Sequence, residues 1–432
     1  MNKVTILILA AGKSSRFKSS KSKIFHEIAG LSIIEHIYSV ASKISNNIIF
    51  VCNKDNISDL KKRFPKSKFS LQKKQKGTAD AVMSAKKLIK KNQNILILFG
   101  DTPLLSFLTL RKLVKKFILK KSFGSMLAFE TQDPSSYGRV IVKGDEIQEV
   151  IENINANNEI KKIKLCNSGV MICKYNVLFQ YINKINNRNI KKEKFLPDIF
   201  KICFFEKKGF HFIICDENEM LGINNFHDFN KVDEIYQKYL RNKLIDKGVK
   251  IIDPQTVRLS YDTKIGKNSM IEPYVIIKKG VNIKDEVLIK SHTILESSLI
   301  GNFSVIGPFA RIRPNTIIGQ NVKVGNFVEI KNSSIGNFCS LSHLSYIGDS
   351  HLGKNINIGA GTITCNFDGR RKHKTIIGNN VFIGSNSSLI APLKINHGAK
   401  IAAGSVITQE VPANSLAIER TKLKILKKIP RK

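Results

Sequence analysis

At 432 residues, 42% of them hydrophobic, the chain is long enough for two or three domains with proper cores, and no apolar run reaches the ~18 residues of a membrane helix. A net charge of +37 raises nucleic acid as a partner, but only 13 of the 71 basic residues are Arg and the lysines are spread along the whole chain. Base-reading interfaces lean on Arg forks, so small anionic substrates are expected, with no nucleic-acid or membrane partner. The lysine excess, with abundant Ile and Asn and no Trp, is the composition that an A+T-rich coding sequence produces.

The chain opens on the apolar run Val4 to Leu9, too short to cross a bilayer and followed by Lys13, Arg16 and Lys18 with no secretory cleavage pattern. It reads as a buried strand in a cytoplasmic protein. The strand runs into a small polar loop, Ala10-Ala11-Gly12-Lys13-Ser14-Ser15-Arg16, whose backbone amides can cradle phosphates while Arg16 and Lys23 supply charge. It lacks the spacing of a Walker A loop or of a dinucleotide fingerprint. Further strands are expected over 47–52, 95–100 and 125–130, alternating with helical stretches as in a doubly wound α/β layer. Asp101 ends the third apolar strand, where such folds place metal ligands, though a helix-capping role suits it equally. A helix without proline is expected over 226–248, ending at Gly248. The seven cysteines form no Cys-x-x-Cys pair and suggest a reducing compartment.

The second half changes period. Aliphatic residues recur every sixth position from Ile265 to Ile277, from Ile300 to Ile330, and from Ile377 to Ile407, with slips of one residue before Ile335 and Leu352. Neither a helix nor a simple strand repeats at six. A triangular coil of three short strands per turn does, with one inward aliphatic side chain each and Gly or Asn at the corners. Corner asparagines are expected at 302, 321, 326, 337, 355 and 379, and an irregular insertion at 362–375.

Taken together, the motifs Leu9-Ala10-Ala11-Gly12-Lys13, Leu71-Gln72 with Gly77-Thr78, Gly100-Asp101, Tyr137-Gly138-Arg139, Asn167-Ser168-Gly169 and Gly222-Ile223-Asn224-Asn225 mark the first half. Arg311-Ile312-Arg313-Pro314, Asn326 to Lys331, His343-Leu344-Ser345-Tyr346, Asn357 to Asn366 and Ala417-Ile418-Glu419-Arg420 mark the second. Over nearly its whole length the chain resembles the bacterial bifunctional N-acetylglucosamine-1-phosphate uridyltransferase / glucosamine-1-phosphate acetyltransferase family.

The resemblance implies an α/β Rossmann-like nucleotidyltransferase domain over 1–225, a linker helix over 226–248, and a left-handed parallel β-helix of hexapeptide repeats over 249–432, assembled as a homotrimer. It implies that the first domain joins UTP to N-acetylglucosamine-1-phosphate, with Arg16 and Lys23 stabilising the phosphates and Asp101 and Asn224 holding Mg²⁺. Leu9, Ala10, Ala11, Gly12, Gln72, Gly77, Thr78 and Gly100 would contact the nucleotide, and Gly138, Glu152 and Asn167 the sugar. In the second domain His343 would be the base that acetylates glucosamine-1-phosphate from acetyl-CoA. Arg313 and Lys331 would bind its phosphate and Tyr346, Asn357 and Asn366 the sugar, Asn366 from a neighbouring subunit. Ala360, Asn366, Ser385, Ala403 and Arg420 would line the acetyl-CoA cleft. The basic tail 422–432 could contact the CoA phosphates, but a merely solvated tail is the expectation.

A nucleotidyltransferase that used its coil only for oligomerisation would need neither His343 nor Lys331. The chain departs from the family at Ser14, Phe99, Phe195, Pro197 and Phe367, mostly losing hydroxyl groups in the first half, so that half is expected to be the slower or less selective.

Overall fold

The computed structural model describes residues 4–12, 15–17, 19, 21–135, 137–185, 193–420 and 425; Lys13, Ser14 and the basic residues of the tail lie outside them. The chain divides into two compact units, Met1–Tyr236 and Gln237–Lys432. The helix Phe226–Ile245 begins in the first and ends in the second.

The first unit is built on a nine-stranded mixed sheet. Val4–Leu9 lies between the parallel strands Ile48–Cys52 and Asn94–Phe99, and Lys68–Leu71 extends that edge. All three apolar strands expected from the sequence are present, each within a residue or so of its anticipated bounds. Buried on both faces, they read as continuous aliphatic runs because the sheet is covered from both sides. On its other flank Asn94–Phe99 pairs antiparallel with Leu165–Lys174. That strand is bulged between Asn167 and Met171 where it runs beside Gly124–Glu130.

In the second unit, three parallel sheets of ten, eight and eight strands are fed in rotation by strands of two to four residues, the stacked coils of a left-handed parallel β-helix. Ile271, Ile289, Ile306, Val324, Leu341, Ile358, Ile383 and Ile401 form one inward row, every member at most 2% exposed. Each such side chain contributes roughly 1.5–3 kcal/mol when fully buried. The repeat also runs unbroken through Ile283, Ile289 and Leu295, which the sequence reading left out.

Two expectations for the coil are corrected. The insertion does not begin at Thr362. Ile363–Cys365 is a strand in register with Ser388–Ile390, and Thr364 fills the inward position, its hydroxyl accepting from Gly348 N at 2.8 Å. The irregular part starts at Asn366, and it is folded rather than structureless: Asp368 accepts from the amides of Arg370 and Arg371 and from His373 Nε2, at 2.7, 2.6 and 2.7 Å.

The corners also differ. Asn321 and Asn355 have the left-handed φ expected of them, 54° and 56°. Asn302, Asn337 and Asn379 do not. Their side chains accept backbone N–H groups of the preceding coil, from Asp285, Gln320 and Lys354 at 3.3, 2.9 and 2.8 Å. Several left-handed corners are taken by aromatic residues, and the rings of Tyr274, His292, Phe309 and Phe327 stack along one exposed edge at 5.0, 4.7 and 5.3 Å.

The glycines that follow the aliphatic residues mostly serve close approach between coils. A Cβ on Gly336 would lie 2.2 Å from the Gly353 carbonyl oxygen, in backbone that cannot swing aside. Gly336→Ala is expected to destabilise the second unit by about 1–3 kcal/mol through overpacking, read as an earlier thermal transition by circular dichroism. An unchanged transition would show that the coils can separate freely at this level.

Candidate active sites

The nucleotide cleft opens at the carboxyl ends of the parallel strands, where an α/β sheet leaves a crevice. Side-chain amides tie the loop after Val4–Leu9 in place. Asn56 Nδ2 donates to Ala10 O at 2.7 Å, Gln75 Nε2 to Ala11 O at 2.6 Å, and Asn53 Nδ2 reaches the carbonyls of Ala11 and Gly12 at 3.3 Å. Ala10 N donates to Val51 O at 2.8 Å, and with the carbonyls held from behind, the amides of Ala11 and Gly12 are the ones placed to face an anion. A cleft of about 270 Å³ is bounded by Leu9, Ala10, Ala11 and Gly12 on one wall and by Gln72, Gly77 and Thr78 on the other, with Lys23, Gly100 and Asp101 between them. Gly77 has φ 105°, and a Cβ there would strike Lys194 O at 2.5 Å, so only glycine lets the 193–196 segment close over this wall.

Its charged groups are already paired. Lys23 Nζ donates to Asp101 Oδ2 at 2.7 Å and to Ile223 O at 2.8 Å, and Arg16 donates to Asn224 Oδ1 at 3.0 Å. Ile223 N in turn donates to Asp101 O at 2.9 Å, which fixes the segment carrying Asn224 beside Asp101. Two cations and two oxygen ligands are therefore preassembled at one end of the cleft.

An adjoining cavity of about 270 Å³ shares Thr78, Phe99 and Phe195 with the first and is lined by Gly138, Glu152 and Asn167. The bulge in Leu165–Lys174 makes this wall. Ser168 Oγ donates to Leu127 O at 2.6 Å, Gly169 N donates to Asn167 Oδ1 at 2.8 Å, and Gly169 turns through φ 79° against the Phe99 ring. Bulges commonly re-aim side chains beside a site in this way.

Arg139, quoted in the Tyr137-Gly138-Arg139 motif but given no role from sequence, is 2% exposed. Its guanidinium donates to the Tyr137 carbonyl and, at 3.2 Å, to Asn153 Oδ1. It thus pins the backbone on either side of Gly138 and next to Glu152. A buried guanidinium is legible only once three segments have met.

In the second unit His343 ends the strand Ser340–His343, and its Nδ1 lies 2.7 Å from Asn326 Oδ1. An amide oxygen can only accept, so Nδ1 carries the proton and Nε2 presents a lone pair. Arg313 donates to Glu329 Oε1 at 2.7 Å. Lys331 is held below its usual pKa chiefly by a hydrogen bond with Lys372, then by the charges of Lys372 and Arg313. Three cations forced together mark a place that an anion would relieve. Lys372 comes from the inserted loop and was not singled out from the sequence. Tyr346 Oη and Asn366 Nδ2 converge over Gly348, where a Cβ would lie 2.5 and 2.7 Å from them.

Asn366 is 8% exposed, and its amide donates to Asp349 of the same chain. It lies beside Tyr346, whose strand pairs with Ile363–Cys365 on the next coil. Asn357 is exposed on the neighbouring sheet and lies beside Ser340 and Phe382 in register. Ala360, Ser385 and Ala403 follow on successive coils at the corner His343 occupies. Arg420 approaches Gly404 there, its Cδ 3.9 Å from where a Cβ would stand. Burial pushes the Cys52, Cys203 and Cys215 thiols up to about 12, and Cys365 beside the loop is raised as well. None of these is a thiolate suited to nucleophilic work.

Residues 6–148 match the MobA-like NTP transferase domain, residues 374–409 the bacterial transferase hexapeptide (six repeats), and residues 299–391 the GMPPB C-terminal domain. Proteins named bifunctional protein GlmU are similar along the whole chain. That of Bartonella bacilliformis is 38% identical, covering 96% of this chain and 94% of its own. That of Thermosipho melanesiensis is 40% identical with 96% and 95% covered, and that of Bradyrhizobium diazoefficiens 41% identical with 96% and 93% covered. The chain belongs to the bifunctional GlmU family. It is accordingly a bifunctional transferase. Its hexapeptide-repeat unit acetylates glucosamine-1-phosphate, and its nucleotidyltransferase unit converts N-acetylglucosamine-1-phosphate and UTP into UDP-N-acetylglucosamine.

Proposed function

We propose that the two reactions are carried by the residues gathered in these clefts, within functional domains of 1–225 and 249–432 joined by 226–248. What supports the reading most directly is that each unit preassembles its own cluster of cations where a phosphate must sit: Lys23 and Arg16 in the first, Arg313, Lys331 and Lys372 in the second.

In the first unit an oxygen of the sugar phosphate attacks the α-phosphorus of UTP in line, and the bond to the β-phosphate breaks to release pyrophosphate. The protein's part is placement and charge. Gln72, Gly77 and Thr78 hold the nucleoside, the amides of Ala11 and Gly12 face the phosphates with Leu9 and Ala10 on the wall beside them, and Gly138, Glu152 and Asn167 hold the sugar. Lys23 and Arg16 neutralise charge as it develops on the phosphates. One carboxylate with one amide oxygen, Asp101 with Asn224, is a donor set that suits Mg²⁺ alongside substrate phosphates. The ion would neutralise phosphate charge and orient the leaving group.

In the second unit His343 Nε2 takes a proton from the substrate ammonium. The amine attacks the acetyl carbonyl of acetyl-CoA, the C–N bond forms, the C–S bond breaks, and the second amine proton passes to the departing CoA thiolate. Ala360, Ser385, Ala403 and Arg420 provide the edge along which acetyl-CoA lies, with Asn357 and Asn366 at the sugar. The stacked, exposed ring edge of the coil supports assembly with further copies, and a homotrimer places a cleft at each such edge. The enzyme works in the cytoplasm; among the described residues no helix is long and apolar enough to cross a membrane. With Phe99, Phe195 and Pro197 lining the sugar cavity without hydroxyl groups, the uridylyl half is the less selective for its sugar.

Lys331→Ala tests the phosphate assignment. It is expected to raise the KM for glucosamine-1-phosphate about 10–100-fold, the loss of one charge-assisted contact, with the KM for acetyl-CoA nearly unchanged. Equal rises in both constants would place Lys331 elsewhere in the mechanism.

A further inference from the structure

The helix Phe107–Leu119 has thirteen residues and no carboxylate among them, and Lys120 and Lys121 follow it. Its inner face is well used: Leu110, Leu113, Val114 and Phe117 are buried. Its outer face is not an ordinary solvated one. At helical spacing, Leu108, Lys112, Lys115 and Leu119 form a single line of exposed residues, flanked by Arg111, Ile118 and Lys120. Leu108 is 64% exposed and Leu119 70%.

Beside this line the helix and the strand Phe210–Ile214 enclose an open groove of about 790 Å³, larger than either catalytic cavity. Lys112, Lys115, Lys116 and Lys120 line it together with Leu119, Phe212, Ile213 and Ile214. The acidic group in the groove is Asp145, 3.2 Å from Lys120, while Lys116 Nζ donates to Phe212 O at 2.8 Å.

Drift toward lysine accounts for cations anywhere on this surface. It does not account for leucines and isoleucines standing in water among them. Aliphatic side chains set between lysines are what an anionic lipid surface takes up: the ammonium groups meet the headgroup phosphates and the apolar side chains enter the acyl boundary. A nucleic-acid face would need aromatic stacking groups or Arg forks. The exposed helix face carries one Arg and no aromatic residue, and the one ring lining the groove, Phe212, is half-buried. We propose that the Phe107–Leu119 helix and the groove beside it form a docking surface for an anionic phospholipid bilayer. The expectation of no membrane partner rests on the lack of an apolar run long enough to span a bilayer, and a peripheral contact needs none.

The test is flotation of the full-length protein with vesicles of equimolar phosphatidylglycerol and phosphatidylcholine, against vesicles of phosphatidylcholine alone. The native protein should float with the anionic vesicles only, and release as salt is raised. The triple variant Lys112→Gln, Lys115→Gln, Lys120→Gln should partition about a hundredfold more weakly. Ile118→Gln with Leu119→Gln should weaken it about tenfold while leaving the charge intact.

A charge-matched control, Lys61→Gln, Lys62→Gln, Lys66→Gln, removes exposed lysines from a face with no exposed large apolar side chain, and should float like the native protein. Both catalytic activities report that each variant is folded, since neither site uses these residues. Failure to float, equal losses in the two lysine triples, or an unaffected Ile118/Leu119 variant would each overturn the proposal. So would retention on duplex DNA without flotation, which would assign the face to nucleic acid.

Discussion

Asp101→Asn is expected to slow uridylyl transfer about 10²–10³-fold, with acetyl transfer by the same preparation unchanged. The substitution keeps the shape of the side chain and removes one negative charge. That charge has two uses in the cleft. It holds Lys23 Nζ at 2.7 Å, where the ammonium also meets the Ile223 carbonyl. It also supplies the carboxylate of the oxygen pair offered to Mg²⁺. A neutral amide weakens both, so the cations that should meet the phosphates lose their fixed positions, and preorganised groups of this kind are commonly worth that factor each. The apparent Mg²⁺ requirement should rise alongside. The backbone bond from Ile223 N to Asp101 O does not depend on the side chain, so the segment carrying Asn224 should stay in place. If uridylyl transfer survives within a few-fold of the native rate, with an unaltered Mg²⁺ requirement, Asp101 is only a structural partner of Lys23; the following helix is capped by Ser106, whose Oγ accepts from Thr109 N at 3.1 Å.

The parts that could be read from the chain are those in which one residue type repeats under one physical constraint. Six-residue spacing of Ile, Leu and Val specifies the coil because each strand places one side chain inside, and apolar runs specify the parallel strands because both faces are covered. What escaped was set by meetings between distant segments. Thr364 fills an inward position with a side chain that satisfies its hydroxyl against Gly348, so the aliphatic spacing is interrupted there although the coil is not. Asn302, Asn337 and Asn379 bridge coils by accepting amides, which composition cannot distinguish from turning a corner. Arg139 and Lys372 acquire their roles only when the walls of the sugar cavity and the inserted loop arrive beside them. The exposed Leu108 and Leu119 were invisible for a related reason. In a helical pattern they look like two more core positions until the buried face proves to be the opposite one.

His343→Ala should abolish acetyl transfer to the level set by binding alone, a loss of about 10²–10⁴-fold in kcat, while uridylyl transfer by the first unit continues at its native rate. The physical case rests on Asn326. By accepting from Nδ1 at 2.7 Å it selects the tautomer that leaves Nε2 able to take the ammonium proton, and it also fixes the plane of the ring. Asn326→Ala removes that constraint without removing the imidazole. It should therefore lower kcat by a smaller factor, roughly tenfold, and leave both KM values for acetyl transfer near their native values. A structural histidine would give another pattern: His343→Ala would shift the thermal transition and both KM values together, and Asn326→Ala would do the same. The deciding comparison is the pH dependence of kcat. A rate that depends on a base removing the ammonium proton falls toward low pH. With His343→Ala that acid limb should vanish and leave a low, flat residual rate. Persistence of the limb in the variant would assign the proton transfer to another group.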